Sequence, residues 1–166
     1  MRARYCGGTT ELKQGRAVSE NGLGAEREGL GLARPIAQEM IAHCEDGRPH
    51  EACGILGARG GAVVRVFRMT NAAHSPLRYS LDPKEQLLVY RTLDEEGLEL
   101  GGVFHSHTHT DAYPSPTDIR LASEAVPYLI VSLAAEPPVI RAYRILKDNW
   151  DDPGGEVVEV SVTVEG

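Results

Sequence analysis

The chain has 166 residues, 42% of them apolar and 25% charged, the balance of one soluble globular domain that can build its own core. Lys and Arg number 17 against 24 Asp and Glu, and the resulting net charge of −7 speaks against nucleic acid or an anionic membrane as the main partner. No apolar run is long enough to span a bilayer, the N-terminal segment lacks a signal peptide's apolar stretch, and three irregularly spaced cysteines (Cys6, Cys44, Cys53) suit reduced thiols in the cytoplasm.

Residues 1–34 carry glycines among alternating charges without an apolar period, which predicts a flexible N-terminal extension; the folded domain is expected over 35–166. Pro35 suits the first position of a helix, Ile36, Met40, Ile41 and Cys44 recur at helical spacing, and Gly47 closes the segment. Ala52–Gly57 reads as a buried strand, Arg59-Gly60-Gly61 as a turn, and Ala62–Met69 as the partner strand of a hairpin. A second helix is expected from Asp82, with Asp82 as cap, Pro83 in the first turn and Glu85 closing a capping box. Leu87, Leu88, Arg91 and Leu93 carry it to Gly97.

Gly101–Phe104 leads as a strand into His105-Ser106-His107, and Ser115-Pro116-Thr117-Asp118 starts a third helix by the same cap logic. Tyr128–Leu133 is a continuous apolar strand of the kind covered on both faces, and Val139–Leu146 and Val157–Val164 alternate as two more. Five or six strands interleaved with three helices give an α/β (α+β) class, one sheet flanked by helices.

Three of the six histidines fall between positions 105 and 109. Side chains two apart on a strand point the same way, so His105 and His107 project together as a chelating pair. Asp111 or Asp118 can supply a carboxylate, the latter fixed in the first turn of a helix. Two His and one carboxylate leave a fourth tetrahedral position open, the mark of a catalytic rather than a structural zinc site. Glu51, at the entry of a core strand, is either a solvated strand end or a general base. Asn71, Ser75 and Tyr79 lie in a turn-rich segment and are candidate substrate-binding residues, with ordinary turn chemistry as the alternative. Cys53 reads as a small buried hydrophobe.

Glu51, His105-Ser106-His107, seven intervening residues, Ser115, two residues and Asp118 fit the pattern E…H-[ST]-H-x7-S-x2-D. In this the chain resembles the JAMM (MPN+) metalloprotease family over about residues 35–150. The resemblance implies a single MPN domain, a mixed sheet of cytidine-deaminase-like type. It implies one Zn2+ per chain on His105, His107 and Asp118, Glu51 as general acid/base, and Ser115 as a stabiliser of the oxyanion. His109 falls outside the pattern and is expected at the rim, touching substrate.

Stretches between these residues, among them Glu51–Leu56, Met69–Ala72, Tyr79–Asp82 and Ala112–Ser115, are similar to the bacterial subgroup acting on sulfur-carrier proteins of cysteine biosynthesis. That similarity implies a peptidase cutting after the C-terminal Gly-Gly of a ubiquitin-like sulfur carrier; cysteine usage and charge point to a cytoplasmic protein with neither nucleic acid nor membrane as partner, and a homodimer is left open. An isopeptidase acting on protein conjugates is the alternative, and a non-catalytic MPN binding module is the alternative of another class. Large amidohydrolase barrels need more chain than this. A cupin built on His105, His107 and Asp111 lacks a distal histidine.

Overall fold

The computed structural model describes residues 29–166. Its elements in chain order are β1 (Gly29–Ala33), α1 (Arg34–Asp46), β2 (Cys53–Arg59), β3 (Ala62–Met69), α2 (Pro83–Glu96), β4 (Glu99–His107), α3 (Pro116–Leu121), β5 (Tyr128–Ser132), β6 (Val139–Leu146) and β7 (Glu156–Glu165). The strands form one sheet in the order β1-β7-β6-β5-β4-β2-β3. β1 with β7 and β4 with β5 run parallel, and every other neighbour pair is antiparallel. This is the expected mixed sheet with flanking helices, with seven strands rather than five or six.

The additional strand is β1, at positions assigned above to the extension. Gly29–Ala33 pair with residues 161–165 of β7, and Leu32 is fully buried. Five glycine-rich residues carry too weak an alternation to announce a strand; the partner 132 residues away supplies the hydrogen bonds. The rest of the predicted extension, residues 1–28, lies outside the described residues.

The β2–β3 hairpin turns on Gly60 and Gly61, whose φ angles of 57° and 79° suit the tight two-residue turn that keeps the strands' twist. α1 packs on one face, where Met40 and Cys44 join Leu56, Val66, Phe104, Leu129 and Val131. On the other face α2 sets Val89 and Leu93 against Ile55, Phe67 and Met69, and Ala122, after α3, meets Val103 and Tyr128. At Gly54 a methyl would stand 2.3 Å from the Phe67 carbonyl oxygen and 2.4 Å from the Phe104 ring, so only glycine lets these strands and that ring approach. β5 is buried along its whole length, as its unbroken apolar run requires.

The helix expected from Asp82 to Gly97 forms, with Leu87 and Leu88 62% and 58% exposed and Val89 and Leu93 buried. Three consecutive apolar residues leave the helical phase undetermined, and the sheet chooses it. Asp82 does cap α2, accepting from Lys84 N and Glu85 N. Glu85, however, closes no box: its carboxylate takes the Thr70 amide and hydroxyl at 2.6 and 2.7 Å, tying α2 to the end of β3. No helix among the described residues is long and apolar enough to cross a membrane.

Candidate metal centre

His105 and His107 end β4 on the face away from α1, because strand alternation sends Phe104 and Ser106 to the opposite side. Asp118 arrives from the first turn of α3. Ser115 caps that helix by accepting the Asp118 amide at 3.1 Å, and Asp118 Oδ2 accepts the Ser115 amide at 2.7 Å. The reciprocal box locks a carboxylate that would otherwise swing, and aims it at the strand end.

The three ligand atoms make a nearly equilateral triangle. His105 Nε2 lies 3.1 Å from His107 Nε2, and each lies 3.4 Å from Asp118 Oδ2. Ligands at the vertices of a tetrahedron with arms of about 2.0–2.1 Å stand about 3.3–3.4 Å apart. The triangle therefore fits one small cation. All three side chains are buried, and they form the one such cluster among the described residues.

The hydrogen bonds agree with that fit. The Asp111 carbonyl, 2.8 Å from His107 Nδ1, can only accept, so Nδ1 carries the hydrogen and Nε2 turns a lone pair inward; the Thr110 hydroxyl adds a contact at 3.0 Å. His105 is held differently. Its Nδ1 is buried with no hydrogen-bond partner among the described residues, and its ring stacks on Tyr79 at 4.3 Å and 20°. Burial pulls the His105 pKa down. Burial acts the same way on His107, but Asp118, the Asp111 carbonyl and Glu51 outweigh it and hold that group above its ordinary value. Burial would raise Asp118, yet bonds from His105, His107 and Ser115 keep its carboxyl far below the carboxylate range. A neutral His105 and a firmly ionised Asp118 are the protonation states that a metal ligand needs.

Glu51 comes from far away in sequence. In the β2–β4 ladder Cys53 is opposite His105, which sets Glu51 opposite His107 just past the strand end and on the same face. It is buried, and its Oε2 has no hydrogen-bond partner among the described residues. Burial pushes its carboxyl up to about 7, with His107 opposing and Asp118 adding to the shift.

Of the candidate substrate residues, Asn71 is bonded within the fold. Its Nδ2 donates to the carbonyls of Glu51 and Arg78, and its Oδ1 accepts the amides of Ala73 and Ser80. Every bonding position of the amide is used within the protein. Ser75 is likewise in turn service: Oγ accepts the Leu77 amide and its carbonyl accepts the Glu51 amide. Tyr79 lines a cavity of about 240 Å³ together with Leu81, Val103, Asp118, Leu121 and Tyr128, so that cavity opens beside the triad. His109 is exposed and turned to Thr108. Asp111, the alternative ligand, contributes its carbonyl and not its carboxylate. Cys53 is a buried free thiol. The supports of His107 were not foreseen, because a backbone carbonyl has no side chain to advertise it.

The family model described as prokaryotic homologs of the JAB domain matches residues 33–146. The chain is 37% identical over 134 residues to the CysO-cysteine peptidase of Mycobacterium tuberculosis, covering 78% of this chain and 92% of that one. It is 31% identical over 144 residues to the desampylase of Haloferax volcanii, covering 82% and 96%. Among solved structures, a protein from Desulfitobacterium hafniense superposes with a TM-score of 0.71 at 37% identity, covering 82% and 92%. A JAB1/MPN domain protein from Archaeoglobus fulgidus shares the fold at a TM-score of 0.51 and 17% identity, covering 81% and 98%.

Proposed function

The chain belongs to the prokaryotic JAB-domain family and is a hydrolase, and from that premise we propose a zinc-dependent peptidase that cuts the amide bond after the C-terminal Gly-Gly of a ubiquitin-like sulfur carrier. The product released is cysteine, in a cytoplasmic cysteine-biosynthesis pathway. The observation that carries the chemistry is the triangle of two Nε2 atoms and one Oδ2 beside a buried carboxylate oxygen without a partner. The substrate assignment rests on the similarity to the mycobacterial peptidase.

His105, His107 and Asp118 would hold the zinc, which when bound supplies a Lewis acid for the scissile carbonyl and makes water acidic enough to react near neutral pH. Glu51 takes the proton of the attacking water on Oε2, the oxygen left free for it. As the carbon–nitrogen bond breaks, Glu51 returns that proton to the leaving amine, so one carboxyl serves as base and then as acid. A carboxyl whose pKa burial sets near 7 suits both halves of that duty. Ser115 accepts the Asp118 amide on its oxygen and keeps its own hydrogen to donate to the oxyanion that forms on the glycine carbonyl. The 240 Å³ cavity beside Asp118 gives the substrate chain on one side of the bond a place to lie.

The test is intact-mass spectrometry of a ubiquitin-like carrier whose C-terminal Gly-Gly is extended by one cysteine, incubated with enzyme loaded with one zinc per chain. Loss of one cysteine residue is the expected result, and an unchanged mass refutes the assignment. The second reading, an isopeptidase for protein conjugates, is favoured by the similarity to the desampylase. Release of the carrier from a lysine conjugate, with the cysteine adduct untouched, would establish that one instead.

A further inference from the structure

A general base must keep at least one carboxylate oxygen free to receive a proton, so it cannot be fixed through both of its oxygens. Glu51 meets this condition, with Oε2 unpartnered in a buried site. What fixes it is the backbone around it. On one side, Ser106 lies between the two histidines with its side chain on the opposite face of β4, fully buried. The β2–β4 register puts Ala52 opposite Ser106. Ser106 N donates to the Ala52 carbonyl at 2.9 Å, as a rung of the ladder should. The return bond is not a rung: the Ala52 amide donates to Ser106 Oγ at 2.8 Å, so a side chain takes the place of a strand carbonyl at the point where β2 begins.

On the other side is the loop 71–80. Asn71 knots this loop with four bonds of its side-chain amide, one of them to the Glu51 carbonyl at 2.9 Å. The loop returns a second bond, the Ser75 carbonyl accepting the Glu51 amide at 2.9 Å. The same loop carries Tyr79, stacked on His105.

Resting on the assignment of Glu51 as base, we infer that Ser106 and Asn71 are positioning residues that hold the Glu51 backbone from two sides and so set its carboxylate against His105, His107 and Asp118. Ser106 is suited to the task because one residue faces both ways: its neighbours on either side are the triad histidines, and its own hydroxyl reaches the residue after the base. A shift of about 1 Å in a catalytic group costs about 100-fold in rate.

The experiment is a double-mutant cycle on the zinc-loaded full chain, with the cysteine-extended carrier as substrate. Ser106→Ala should lower kcat by about 10–100-fold with KM and zinc content unchanged, and Ser106→Thr, which keeps the hydroxyl, should restore most of it. In a Glu51→Gln background, Ser106→Ala should have no further effect, since the group through which it acts is gone. In the metal-free protein, Ser106→Ala should speed hydrogen exchange of the Ala52 amide by at least about 10-fold, and Asn71→Ala should do the same for the Glu51 amide. If Ser106→Ala lowers kcat by the same factor with and without Glu51, or acts by losing zinc, the inference is wrong. A Glu51→Gln enzyme with the parental rate is a separate result, read from the single variant, that removes the base assignment underneath.

Discussion

Glu51→Gln separates the electrostatic cost of the base from its use. Burial pushes the Glu51 carboxyl from 4.5 up to about 7 in the folded, metal-free protein. Because the native state binds that proton more tightly than the unfolded chain, the group costs nothing below pH 4.5. Stability then falls as pH rises from 4.5 to 7, and stays lower above that. A shift of that size corresponds to at most about 3.4 kcal/mol, and solvent reaching part of the carboxylate reduces this to about 1–2 kcal/mol. Glutamine has the shape of the protonated acid and never ionises. At pH 4.5 metal-free Glu51→Gln should therefore melt within about 1 °C of the parent, and at pH 8 about 2–8 °C above it. The measurement is thermal unfolding by circular dichroism after chelation, both proteins at both pH values. The difference between proteins is the quantity to read, since carboxylates not coupled to Glu51 titrate equally in each. If the gap in Tm is the same at pH 4.5 and 8, Glu51 is not held as a buried, readily neutralised acid. The same variant, zinc-loaded, should keep its metal and lose most of its activity.

His107→Ala removes one corner of the triangle and should lose bound zinc as well as turnover, with metal content read by atomic emission. Ser115→Ala should lower kcat by about 100-fold through the oxyanion and cost about 1 kcal/mol through the helix cap; a variant that loses stability alone would confine Ser115 to capping. Burial pushes the Cys44 and Cys53 thiols up to about 12, so at pH 8 neither is a thiolate. Site-resolved alkylation should therefore label both only after denaturation, and rapid labelling of Cys53 in the folded protein would contradict its reading as an inert core residue. Gly54→Ala places a methyl against the Phe67 carbonyl and the Phe104 ring and should destabilise the fold by about 3 kcal/mol, measured by urea unfolding.

The triad was legible because its geometry follows from short-range rules. A strand turns every second side chain to the same face, which pairs His105 with His107, and a capping box fixes the residue three beyond the cap, which places Asp118; the choice of Asp118 over Asp111 came from the family resemblance. The continuous apolar run of β5 and the glycine pair at 60–61 were readable for the same reason: strand and turn are decided within a few residues. Tertiary structure alone decided the phase of α2, where Leu87, Leu88 and Val89 compete on equal terms until the sheet selects Val89. It also made a strand of Gly29–Ala33, whose hydrogen-bond partners lie at the far end of the chain. Above all it decided what surrounds Glu51. Their place in a turn-rich segment left Asn71 and Ser75 open to a ligand or a turn; the fold bonds both to the backbone of the 71–80 loop and of Glu51. Hydrogen bonds between segments distant in sequence depend on which strands lie side by side, and a local pattern contains no record of that pairing.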